Sequence, residues 1–164
     1  MKQADIAIIL EYNYWANKRI LTMASKVPEK QYRAPTAFPH GSLHGTLVHT
    51  LDAEYGWRTM LQEGAWASEL TAAQFPSLAS LETRWRDEEA ALREYLAGLN
   101  DEKMLEIVRY KADEGNQRER VRWHCLYHVV NHGTQHRSEA AAMLTDYGQS
   151  PGEIDFTIFL NERK

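Results

Sequence analysis

The sequence predicts an all-α fold: a single domain, 1–164, built as a four-helix bundle with a short extended or hairpin insertion between helices three and four. Two observations predict it. Four stretches of helical length each end against a Gly or Pro stop signal, and 164 residues with 43% hydrophobic content suit one core. Helices of roughly 20 to 27 residues would be about 30–40 Å long, which is bundle geometry.

The first helix is expected over residues 2–26, stopping before Pro28, where the proline ring pushes Val27 out of helical geometry. The second covers 42–63, with Gly64 placed to end it. A third begins after Pro76 and Ser77, spans 78–97 and meets Gly98 as its C′ residue. Residues 105–110 and 118–122 flank a polar turn, ADEGNQ, which marks the hairpin or extended excursion. The fourth helix covers 121–147, followed by Gly148 and Pro151. The tail 151–160 is aromatic and β-branched but too short to stand alone, so it should fold back over one end of the bundle. No internal repeat, low-complexity tract or linker is present.

The fourth helix carries WHCLYHVVNHGTQHRSE, residues 123–139, with His124, His128, His132 and His136 at four-residue intervals. Side chains four apart stack on one helical face, so neighbouring imidazoles can converge on a cation. Each step also rotates the side chain by about 40°, so four histidines cannot share one ion. Cys125, Val129, His132, His136 and Met143 fall within about 60° of one another, the arc of an inward face. His128 flanks that arc and His124 lies outside it. Periodicity therefore selects His132 and His136 as the chelating pair, against the plainer alternative of surface or hydrogen-bonded core histidines.

A third ligand must come from His40, His44 or His49. Around His49 one face carries Ser42, Gly45, Thr46, Ala53, Gly56 and Met60. Glycine inside a helix costs about 1 kcal/mol relative to alanine, so these small residues need a reason. Either they leave room beside His49 for a metal and a ligand, or they allow close helix approach. His44 points to another face and His40 precedes the helix beside Pro39, so both are expected to be exposed.

Composition narrows the function classes. A net charge of −4 with no basic run or stripe argues against nucleic-acid binding. The N-terminal stretch has no cleavable signal pattern and no apolar run approaches the roughly 20 residues of a membrane span, so a cytoplasmic protein without membrane association is expected. The single cysteine excludes an internal disulfide and fits a reducing compartment. Cys125 is either a nucleophile near the histidine pair or, two turns from His132, an apolar core residue.

The segments YNYWAN at 12–17, SLHGTLVH at 42–49 leading to Trp57, and HVVNHGTQHR at 128–137 resemble the DinB/YfiT-like superfamily, as does the tail from Leu144 through Gly148 and Pro151 to Asp155 and Leu160. The matches keep their order over nearly the whole chain. The resemblance implies a four-helix bundle with a long crossover, a homodimer, and a metal triad of His49, His132 and His136. Tyr12, Asn13, Trp15 and Asn17 would serve core and dimer packing. In such relatives Arg-Gly-Gln usually follows the second histidine of the pair, where this chain has Arg137, Ser138 and Glu139. Glu139 could be a fourth ligand, an acceptor behind His136 or a general base; the alternative is that it pairs with Arg137 or a neighbouring helix.

Three imidazoles suit zinc, nickel, copper and iron alike, and selectivity depends on availability as much as affinity; zinc is the first expectation and nickel the second. The resemblance implies a transferase or isomerase using a low-molecular-weight thiol, which a cation with open positions would activate by lowering its pKa. The first expectation is thiol transfer to a small electrophile. The others are hydrolysis through metal-activated water, needing a base such as Glu139, and a metal-binding stress-response protein without turnover. The sequence names no catalytic acid or base.

Overall fold

Helix boundaries follow local chemistry. In the computed structural model, which describes residues 1–112 and 115–163, helix α1 (Gln3–Ala24) opens with the Lys2 amide donating to Asp5 at 2.9 Å. An acid in the first turn also suits the helix dipole. The helix stops two residues short of the expected 26, and after Pro28 comes one turn, α2 (Glu29–Tyr32). Helix α3 (Leu43–Glu63) starts where Ser42 Oγ accepts from the Gly45 amide at 3.0 Å, and ends at Gly64, whose φ of +75° closes the last turn.

A 3-10 turn, Ala72–Gln74, leads to α4 (Leu78–Ala97), capped by Ser77 Oγ accepting from Ser80 at 3.2 Å. Gly98 follows α4 as expected, but its φ is −78°, so no left-handed turn is made there. The chain instead proceeds into the single turn α5 (Asp101–Met104), capped by Asn100.

The excursion after α5 is an antiparallel hairpin, β1 (Ile107–Lys111) with β2 (Gln117–Val121), in which Arg109 stands opposite Glu119. Asp113 and Glu114 of the expected polar turn lie outside the described residues. Strand β2 runs directly into α6 (Arg122–Asp146). The tail ends in α7 (Phe156–Glu162), folded back on α1: Tyr12 Oη donates to the Ile154 carbonyl at 3.0 Å and Trp15 Nε1 to Glu162 at 3.0 Å. Tyr12 and Trp15 are thus engaged within the chain.

Helices α1 and α3 each pack against both α4 and α6. Two apolar clusters fill the interior. One gathers Leu10, Leu92, Leu126 and Val130; the other gathers Leu47, Leu51, Leu81 and Leu144. Between them every long helix contributes buried polar side chains: Asn13 and Asn17 from α1, Glu54 from α3, Glu88 from α4 and Arg137 from α6. Glu54 accepts from Asn13 Nδ2 at 2.7 Å, Asn17 Nδ2 at 2.9 Å and Trp85 Nε1 at 2.8 Å. The Asn13 and Asn17 carbonyl oxygens in turn accept from the Arg137 guanidinium. Glu88 is held by Arg58 and Arg84.

Burial pushes the Glu54 carboxyl above its ordinary range, while the three donors and Arg137 pull it back. Replacing Glu54 by Leu would strand these donors and an uncompensated Arg137. Loss of about 3–5 kcal/mol is expected, measured as a lower urea midpoint with unchanged m value; a shift below about 1 kcal/mol would show that the layer contributes no such constraint.

Candidate metal centre

The packing of α3 against α6 sets His49 opposite the stripe that His132 and His136 form one turn apart. His132 Nε2 lies 3.3 Å from His49 Nε2 and 3.1 Å from His136 Nε2. The ring planes meet steeply, at 56° for His49 and His132, 64° for His132 and His136, and 87° for His49 and His136. His136 is buried and the other two are half-buried.

A fourth ring joins them. His40 stacks on His49 with centroids 3.8 Å apart and planes 16° from parallel, and its ring is 4.9 Å from that of His136. His40, His49 and His136 each offer a ring nitrogen within 4.8 Å of the others, so three histidines are close enough to hold a metal ion.

The expected exposure of His40 is therefore corrected. The segment 36–42 folds back on itself: the Thr36 amide donates to the Gly41 carbonyl at 2.7 Å, the Gly41 amide donates to Phe38 at 2.9 Å, and Gly41 adopts φ +74°. A Cβ at Gly45 would fall on the His40 carbonyl. That glycine serves a close loop approach, which neither expected reason for the small residues anticipated. At Gly56 the neighbour is the Trp66 ring, 3.5 Å from where a Cβ would stand.

His44 was also expected at the surface and is 3% exposed. It faces Tyr32 and lies 2.9 Å through Nδ1 from Arg33 Nη1, away from the cluster. His124 is exposed and packs on Trp123; His128 is exposed, 5.7 Å from the His132 ring and 5.0 Å from that of Trp57.

The DinB family model matches residues 1–164. The chain belongs to the DinB family. It is 28% identical over 168 aligned residues to Protein DinB of Bacillus subtilis (strain 168), covering 96% of this chain and 95% of that one.

In this DinB chain Glu139 is spoken for. Its Oε2 lies 2.8 Å from His136 Nδ1, while Arg137 turns the other way, to Asn13, Asn17 and Thr134. The expected pairing of Glu139 with Arg137 does not form. A carboxylate only accepts, so His136 Nδ1 is the donor in that contact, and its Nε2 faces the His132 ring.

Desolvation, reinforced by the neighbouring imidazoles, lowers the pKa of His49 to about 4 and that of His132 to about 3. Both are therefore neutral at pH 7 with lone pairs available. Burial raises the Cys125 thiol to about 11, which makes it an inert core residue. A cleft of roughly 730 Å³ between α1 and α4, lined by Trp15, Trp85 and Arg93 among others, contains none of the histidines, so it is distinct from this centre.

The depressed histidines fix a pH dependence. Below the ordinary value of 6.5 the unfolded chain takes up protons that folded His49 and His132 refuse down to about 4 and about 3, so stability falls with pH across that window. Metal-free protein should lose thermal midpoint between pH 7.5 and 5. His132→Gln should flatten the profile; an identical slope would assign the acid sensitivity elsewhere.

Proposed function

We propose that this DinB protein holds one divalent ion, zinc or nickel, at His49, His132 and His136, and transfers a low-molecular-weight thiol to a small electrophile in a stress or detoxification role. The observation that carries the reading is the pair of short Nε2 separations that His132 makes, one to His49 and one to His136. Two ligands 2.0–2.1 Å from one ion at angles of 90–110° stand about 2.9–3.4 Å apart, and the two contacts of His132 are 3.3 and 3.1 Å. One proton on His132 Nε2 would serve one of these contacts well; one cation serves both.

Ring orientation favours His132 over His40 as the third ligand. An imidazole lone pair lies in its ring plane, and the steep angles among His49, His132 and His136 let those planes meet. His40 and His49 are stacked nearly parallel, so their lone pairs run in separate planes and do not aim at one point. His40 is better assigned as a wall against His49.

A divalent ion at this site would supply the positive charge that lowers the pKa of a bound thiol toward neutrality. The chain's own part is to hold three imidazoles, His49 and His132 of them kept neutral by burial, and to orient them. Glu139, accepting from His136 Nδ1, fixes the tautomer and aims Nε2, the arrangement common behind metal-binding histidines. That engagement favours thiol transfer over hydrolysis, which would call on Glu139 as a free base.

The family likeness carries the remaining parts of the proposal: the four long helices as a four-helix bundle with a long crossover, a homodimer, and a cytoplasmic setting. No described helix is long and apolar enough to cross a membrane. The single cysteine, buried in the core, fits a reducing compartment.

Protein purified without a histidine tag or nickel resin should contain about one divalent ion per chain by mass spectrometry, and His49→Ala, His132→Ala and His136→Ala should each lose it. A chain that stays metal-free when supplied with zinc would sink the reading. Cobalt(II)-loaded protein should develop a charge-transfer band on addition of a small thiol; an unchanged spectrum would leave a metal-binding protein with no exchangeable position.

Glu139→Gln should bind the ion roughly 10- to 100-fold more weakly, in a competition titration against a chromophoric chelator. Undiminished affinity would remove Glu139 from the centre.

A further inference from the structure

Beyond the ligand set, a group of aromatic rings from four separate parts of the chain gathers on one side of the centre. Trp57 of α3 touches Trp66 from the segment after α3, Tyr110 of β1 and His128 of α6, with centroids 5.0, 5.3 and 5.0 Å away. Trp66 and Tyr110 are 5.8 Å apart. His128 connects the group to His132 at 5.7 Å.

Trp66 is 39% exposed, yet it is fixed. Its Nε1 donates to the Lys111 carbonyl at 2.8 Å, and its six-membered ring lies over Gly56. A large exposed ring held by a hydrogen bond at one edge and a helix backbone beneath offers contact area with little conformational entropy left to lose. The hairpin supplies both Tyr110 and the Lys111 carbonyl, so one consequence of that excursion is to build this wall beside the histidines.

We infer that Trp57, Trp66, Tyr110 and His128 form the acceptor subsite of the thiol transfer proposed above, and that the acceptor presents a planar, uncharged, conjugated double bond which stacks on Trp66 and His128, the S–H bond breaking as sulfur bonds one carbon and the proton goes to the other, so that no group leaves. The inference rests on that proposed reaction for its placement beside the metal ligands. A quaternary ammonium ligand fits less well: Trp57, Trp66 and Tyr110 meet edge to face at 5.0–5.8 Å and so do not stand as the separate walls of a cage around a cation. The rings of the group that reach solvent are Trp66 and His128, and a planar group can stack there.

The test uses 1,3-dinitrobenzene, a planar electron-poor probe with no halide to be displaced by thiols, titrated calorimetrically into zinc-loaded full-length protein. From the usual strength of stacking on an aromatic side chain, Trp66→Ala should raise Kd about fivefold or more. Trp66→Phe should stay within about threefold. Saturated nitrocyclohexane, similar in size but not planar, should bind the parent far more weakly.

Equal affinities of the parent for the two probes, absence of saturable binding, or an unchanged Kd in Trp66→Ala would each overturn the inference. The probe comparison uses only the parent, so it decides the question even if a variant fails to fold. Zinc retained by a parent that does not bind dinitrobenzene would remove the wall and leave the metal reading intact. Dinitrobenzene bound by a parent that never holds zinc would remove the metal reading and leave a planar-ligand site.

Discussion

The constraint on which the rest depends is the buried polar layer around Glu54. A carboxylate 1% exposed has lost its hydration and is tolerable only where fixed dipoles and charge replace water. Asn13, Asn17 and Trp85 supply that replacement directly, and Arg137 supplies it through the two asparagines. Apolar packing is non-directional and permits sliding, whereas these hydrogen bonds fix α1, α3 and α6 in one register. Gly133 is part of the same device, because a Cβ there would stand 2.7 Å from Arg137 Nη1 and 2.9 Å from Asn13 Oδ1.

That register sets the histidines. His136 and Arg137 are adjacent on α6 and so project about 100° apart, one toward Glu139 and the imidazoles, the other into the polar layer. Glu54 lies five residues after His49 on α3, so the same two helices that share the polar layer also bring the imidazoles together. Two rings on one helix and one on another approach within hydrogen-bond distance only if the helices are fixed axially to a fraction of a turn. The histidine cluster is accordingly built on helices, with the 36–42 loop adding His40 at its flank.

Much of this was legible in the sequence. The starts of α3 and α4, the Gly64 terminator and the excursion before α6 follow from short-range chemistry that acts within three or four residues. The pairing of His132 with His136 follows from helical period, since residues four apart on one helix share a face whatever the helix packs against. Gly98 shows the limit of such signals: a glycine after a helix permits a left-handed turn but does not impose one, and here the chain continues at φ −78°.

The sequence by itself determined the long helices and their ends, the inward histidine pair and, by resemblance, the family, because each is written in local pattern or in ordered motifs along the chain. Only the tertiary structure decided that His40 stacks on His49, that His44 is buried against Arg33, and that Glu139 serves His136 rather than Arg137. Those outcomes depend on how the loop before α3 folds back against that helix, or on which of two nearby partners a side chain can reach once another has claimed its neighbour. Arg137 is drawn into the polar layer by Asn13 and Asn17, more than a hundred residues away, and that long-range contact leaves Glu139 to the histidine.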